Sequence, residues 1–231
     1  MERKYNELVN VGNGLLDQGK AEAALEIFQQ AAALAPTSSN AHANVGVCHL
    51  RLSQTDEALV AFAESEKFNP RQVLAVLKLA QLLDNAGRTK EAKRYFARLM
   101  EVDPSDPRSY FKLAHWADQA GDSRKASQLY GQCVDRFHAR LKRDTVDTAQ
   151  RAHFLEMLAR CQAKVGRVEE ALASYDEAIA AGDTQALISK ADELGNHDRM
   201  LEAATMYEKV RPAFEQGLSK PKWCENGVCL Q

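Results

Sequence analysis

Proline, aromatic residues and long apolar runs are all sparse in this sequence, and each scarcity narrows what the chain can be. Its 231 residues include only 6 Pro, and aromatics make up 7%. With Ala and Leu abundant, that balance leans towards helices and away from strands. No apolar run approaches the roughly 20 residues that a membrane-spanning helix requires. The opening stretch, Met1 to Gly12, alternates charge with single apolar residues and lacks the basic start and apolar core of a secretory signal. The 5 cysteines are too few and too scattered for a disulfide framework, and Cys48, Cys133 and Cys161 fall within helical patterns. This is the usage of a reducing compartment, and the cytoplasm is the expected address. A net charge of −2 excludes a strong field drawing the whole chain onto nucleic acid or an anionic membrane. Being 45% hydrophobic and 27% charged, the chain can still bury a substantial core.

Catalytic signatures are missing as well. The Gly-Asn-Gly run at Gly12 has no Lys-Ser/Thr ending and is no phosphate loop. There is no His-Glu-x-x-His and no nucleophile elbow. His49 occupies a core-facing position and is read as a packed residue. The acidic pairs Asp56 with Glu57 and Glu169 with Glu170 open helices, where carboxylates complement the helix dipole. Cys224 and Cys229 flank an Asn-Gly turn near the C-terminus. They are either a disulfide, half a metal site without a nearby His, or incidental thiols of a tail. No catalytic residue, no metal site and no cofactor is expected.

The dominant positive feature is a repeat. Ala24, Ala58, Ala92 and Ala126 are separated by 34 residues each time. Each is followed one turn later by an aromatic ring: Phe28, Phe62, Phe96 and Tyr130. Pro36, Pro70 and Pro104 keep the interval, as do Gly12, Gly46, Ala80 and Ala114, and again Gly19, Ser53, Gly87 and Gly121. Each column has a physical reason. The first small residue permits close helix crossing, and the second sits in a turn where positive φ is needed. The Ala and the ring lie on one helix face at i and i+4. Proline ends the second helix by barring the residue before it from the helical region. Two imperfect units follow. Ala171 and Tyr175 come 45 residues after Ala126, which is one repeat plus an insertion of 11, and Ala203 and Tyr207 follow after 32.

The columns resemble the tetratricopeptide repeat family over about 210 residues. The expected fold is therefore all-α: a right-handed superhelical solenoid of about six helix–turn–helix units. Their bounds are roughly 5–38, 39–72, 73–106, 107–140, 152–185 and 186–217, with an insertion at 141–151 and a tail at 218–231. The opening Trp of the family is replaced by Leu8, His42, Val76, Tyr110 and Leu155. The terminal Pro is absent from units four and five, so the helix from Ser123 should run past its usual stop. With no Pro or Gly from Gln132 to Val165, the flanking helices should form a long hairpin turning near Asp144.

The resemblance implies a non-catalytic adaptor or scaffold whose concave face, built from the first helix of each unit, grips a partner peptide. The alternative is a substrate-recognition subunit or co-chaperone working beside an enzyme or a heat-shock chaperone. Repeat register assigns Asn10, Asn13, Asn44, Lys78, Gln81, Arg108, Phe111, Lys112 and His115 to that face. Asn6, Asp17, Asn40, Arg51, Asp84 and Asn85 fall there too. Amides suit an extended backbone because they donate and accept, and the cations suit acidic side chains. The expected partner is a protein or peptide of acidic character, with neither nucleic acid nor membrane involved. The basic cluster Arg136, His138, Arg140, Lys142 and Arg143 is read as a solvated helix rim. Asn13, Asn44 and Lys78 are similar to the clamp with which some co-chaperones hold acidic chaperone C-termini, but two basic positions of that clamp are Val9 and Leu74 here. Trp223, Val228 and Leu230 should fold back over the last unit, or else that end mediates self-association.

Overall fold

The structure, a computed structural model, describes residues 1–143 and 147–215, with side chains as far as residue 209. The described residues form helices and no strand. In chain order they are α1 (Glu2–Asp17), α2 (Ala21–Leu34), α3 (Ser39–Arg51), α4 (Thr55–Phe68), α5 (Val73–Asn85) and α6 (Thr89–Val102). Then come α7 (Pro107–Gln119), α8 (Ser123–Leu141), α9 (Thr148–Lys164), α10 (Val168–Ala180), α11 (Gln185–Asn196) and α12 (Met200–Glu215). This is an all-α helical repeat, and none of these helices is long and apolar enough to cross a membrane. The chain divides into two compact units, Met1–Ser109 and a second beginning at Tyr110.

Each pair of helices turns on the same backbone device. Gly19, Gly87, Gly121 and Gly166 take φ of +74°, +71°, +78° and +79°. The chain then reaches back to the helix it has left: Lys20 N–H donates to the Leu15 carbonyl and Arg88 N–H to the Leu83 carbonyl, both at 2.9 Å. Such a bond spans six residues and satisfies a carbonyl that the ending helix would leave unpaired. Ser53 and Asp198 do the same job at φ +59° and +58° without being glycine. Second helices α2, α4 and α6 stop at Leu34, Phe68 and Val102, two residues before each repeat proline. In α10 the stop comes from Gly182, at φ +98°, in place of the missing proline.

The aromatic column is the core. Phe28, Phe62, Phe96, Tyr130 and Tyr175 are all buried, together with the Ala one turn before each. Within the first unit, one cluster joins Ala24, Phe28 and Cys48 with Val9, Leu15 and Val45, drawing on α1, α2 and α3. The next joins Phe62 with Ala43, Ala75 and Leu79, from α3, α4 and α5. In the second unit Tyr175 packs with Leu155, Ala159 and Ala186, from α9, α10 and α11. In these three cases the following helix covers the apolar face of a helix pair, the energetic rule of repeat arrays.

The insertion lengthens its flanking helices, to 19 residues in α8 and 17 in α9, against 13 or 14 in α2 to α7. Phe137 is buried, its ring 5.8 Å from that of Phe154. Arg151 Nη1 donates to the Leu141 carbonyl at 3.0 Å, tying the two helix ends together. Their turn at 144–146 lies outside the described residues. So do Trp223, Val228, Leu230 and the pair Cys224 and Cys229. One member of the basic cluster does not stand on a solvated rim: the Arg136 guanidinium lies 3.7 Å from the centre of the Tyr110 ring. It also donates to the Gln132 carbonyl at 2.9 Å.

Candidate functional site

In the first unit, the polar positions of the repeat register fall on α1, α3, α5 and the first turn of α7. Asn10 and Asn13 stand exposed three residues apart, on one face of α1. Asn44 is half-buried on α3, as are Lys78 and Gln81 on α5. Lys78 is the electrostatic centre of this group. Burial lowers its proton affinity below the usual lysine value, and the neighbouring charges of Arg108 and Arg51 lower it further. Three cations are thus gathered on one side of the unit, from α3, α5 and α7. Arg108 is partly neutralised, however. Its Nε donates to Asp106 Oδ1 at 2.9 Å, its Nη2 reaches Oδ2, and Asp106 is itself buried. From the sequence Arg108 is expected to be an open cation, because nothing signals that the carboxylate two residues earlier folds over it.

In the second unit the corresponding residues lie on α7 and α9. Phe111 is only 7% exposed and meets Tyr130 edge-on, with ring centres 6.1 Å apart. Its ring is therefore packing rather than an open contact surface. What stands over it is the guanidinium of Arg160, 5.0 Å from the ring centre. Around these sit Lys112, His115 and Lys164. Burial holds His115 below the ordinary histidine range, and the cations Lys112 and Arg160 push it the same way against the pull of Asp118. Lys164 Nζ in turn donates to Asp118 Oδ2 at 2.7 Å.

Arg160 and Lys164 were missed in the sequence because the insertion breaks the 34-residue step. Counting back from Ala171 instead of forward from Ala126 puts Arg160 in the column of Asn13, Gln81 and His115. The same count would have found Glu156, which is 5% exposed on α9. Burial raises its carboxyl above the usual range, while Arg160 and Ser189 pull it down. Ser189 Oγ donates to Glu156 Oε1 at 3.2 Å, and Arg160 Nη1 lies 3.7 Å from the same oxygen.

Several residues singled out in the sequence take other parts. His49 is half-buried rather than packed in the core, its Nδ1 2.7 Å from Gln54 Oε1. Val9 and Leu74, which stand where the co-chaperone clamp has cations, pack partly buried against the two first-unit core clusters. Cys48, Cys133 and Cys161 are buried thiols outside any disulfide, and burial pushes Cys48 up to about 11, which disfavours the nucleophilic thiolate. No cluster of three His, Cys, Asp or Glu able to hold a metal occurs among the described residues.

Comparison with known proteins bears on the repeat and not on the partner. Two tetratricopeptide repeat family models match, one over residues 15–72 and 50–115 and the other over 111–186. No curated protein matches the sequence. Among solved structures, pilF of Pseudomonas aeruginosa is similar with a TM-score of 0.70 at 15% identity, over 94% of this chain and 95% of that one. A tetratricopeptide repeat protein from Parabacteroides merdae ATCC 43184 gives 0.65 at 17% identity, over 91% and 80%. The APC/C hetero-tetramer Cut9-Hcn1 gives 0.69 at 16% identity, over 90% of this chain and 40% of that chain. At these identities the likeness shows the fold alone.

Proposed function

The chain belongs to the tetratricopeptide repeat family, and from that membership we propose that it is a non-catalytic adaptor holding acidic segments of partner proteins. The observation that carries this reading is the grouping of Arg51, Lys78 and Arg108. Gathering like charges around a half-buried lysine works against folding, because burial, Arg108 and Arg51 all raise the cost of keeping Lys78 charged. An incoming carboxylate would relieve that cost and restore the proton affinity of Lys78. Asn10, Asn13 and Asn44 add amides that donate to and accept from an extended backbone. Lys112, Arg160 and Lys164 give the second unit a cationic face of its own around the neutral His115, with Arg160 held on an aromatic ring.

Acidic side chains fit these faces better than a chain-terminal carboxylate does. The two extra cations that the co-chaperone clamp uses are occupied here by Val9 and Leu74, both turned into packing. The test is capture of partners by a folded Lys78→Glu, Lys112→Glu double variant, its helicity and melting checked first. Each exposed ion pair contributes only ~0.2–1 kcal/mol, so reversal at two positions is needed for a clear effect. Capture should fall sharply and should also weaken as salt rises. Recovery of the same proteins at wild-type level would sink the proposal.

A further inference from the structure

The second helix pair departs from its neighbours at two positions that the adaptor reading leaves unused. Where it has His42 and His49, the third, fourth and fifth units have Val76 and Leu83, Tyr110 and Ala117, and Leu155 and Gln162. All six of those are buried; the first pair has Leu8 and Leu15 there, half-buried like the two histidines but apolar. Each imidazole is held aside by local partners. His42 stacks on Phe68 with ring centres 5.4 Å apart, and its Nε2 lies 2.8 Å from the Pro36 carbonyl oxygen. His49 is held by Gln54. Between α3 and α4 this leaves a groove of about 470 Å³, lined by His42, Val45, His49, Val60 and Ala61 and rimmed by Asp56, Glu57 and Glu64.

The groove has a definite chemistry. Val60 is 66% exposed at its edge. Asp56 and Glu57 precede it by one turn on the same face of α4, and Glu64 follows it by one turn. Asp56 and Glu57 have a folding reason, since they complement the N-terminal end of the helix dipole. Glu64 stands beyond that first turn, where its exposed pairing with Lys67 at 3.2 Å is worth little. Folding gains nothing from an exposed valine bracketed by carboxylates. An apolar centre within an acidic rim complements the opposite pattern.

We propose that this groove docks a basic amphipathic segment of a partner protein. An apolar side chain enters between Val60 and the two imidazoles, and Lys or Arg on either side meets Asp56, Glu57 and Glu64. The site is separate from the cationic faces and selects a partner of opposite charge. The probe is a labelled synthetic peptide with a Leu pair flanked by lysines, compared with the same peptide carrying glutamates. Fluorescence anisotropy should show binding of the lysine peptide alone, with His42 and His49 ring resonances shifting on titration. Glu57→Lys with Glu64→Lys should weaken it about tenfold, as repulsion at two exposed sites implies. Val60→Ser should weaken it too, and Lys78→Glu should leave it unchanged. All three variants alter exposed or half-buried positions, so loss of fold is readily excluded by melting. Failure of the lysine peptide to bind, equal binding of both peptides, or undiminished affinity in the Glu57→Lys, Glu64→Lys protein would overturn the proposal. So would a wild-type dimer that Val60→Ser dissociates, since a second copy of the chain would then be the occupant.

Discussion

A β-carbon added at Gly12 would stand 2.6 Å from the Phe28 ring, and one at Gly46 would stand 2.9 Å from the Phe62 ring. These glycines are fixed by the aromatic that lies on them, not by a need for unusual backbone. Gly12→Ala should therefore cost about 1–3 kcal/mol, read as a fall in the midpoint of urea unfolding. Ser53 presents the reverse case. Its φ of +59° carries a steric cost that its counterparts avoid by being glycine. Ser53→Gly should stabilise by roughly 0.5–1 kcal/mol once the added chain entropy of glycine is set against the relieved strain. An unchanged or lowered midpoint would mean that the serine side chain has a compensating contact. Glu156 gives a pH signature. Because burial raises its folded-state carboxyl above the ordinary 4.5, the folded state holds that proton more tightly than the unfolded state does. Its ionised form thus costs stability above the raised value, and the cost disappears as pH falls towards 4.5. Glu156→Gln should raise the melting temperature near about pH 7 and lose that advantage near about pH 4.5. A gain independent of pH would point to packing instead.

Helices α8 and α9 show what decides an element's length. The other second helices of the first three pairs are cut short before Pro36, Pro70 and Pro104, whereas nothing between Gln132 and Leu141 breaks α8 except the end of its packing. Propensity permits an extension, but tertiary contact must reward it. Here the reward is Phe137, fully buried against Phe154, with Leu141 beside the Leu155 cluster. Phe137→Ala should cost about 3–5 kcal/mol, and hydrogen exchange should show the last turn of α8 losing protection first. If exchange there matches wild type, the extension is held by something other than this ring. The extra length was legible from the missing Pro and Gly. The stacking of Arg136 on Tyr110 was not, because the two residues are 26 apart and only helix packing brings them together.

Over the whole molecule, a net charge of −2 coexists with cations grouped at Lys78 and at His115 and carboxylates grouped around Val60. Such a distribution presents no single basic field to a polyanion. The protein should therefore pass through heparin unretained at about 0.15 M salt. Retention would instead favour a nucleic-acid role for the exposed His138, Lys142 and Arg143.

The sequence by itself determined the helical repeat. Each column of that repeat is a local property of one residue: a ring to fill a core, a glycine to turn, a proline to stop, an alanine to allow contact. Such preferences act within a turn or two of helix and survive in any context, so the 34-residue spacing exposes them. Only the tertiary structure decided which polar residues face what. Register puts Arg108 and Phe111 on one helix, yet one is held by Asp106 and the other is roofed by Arg160. Packing of the helices likewise left His49 out of the core and exposed Val60 beside it. Some of those outcomes depend on surfaces from other helices, as with Arg160 over Phe111, and others on how a loop carboxylate or amide folds over its neighbour, as with Asp106 and Gln54. No single position in the chain encodes them.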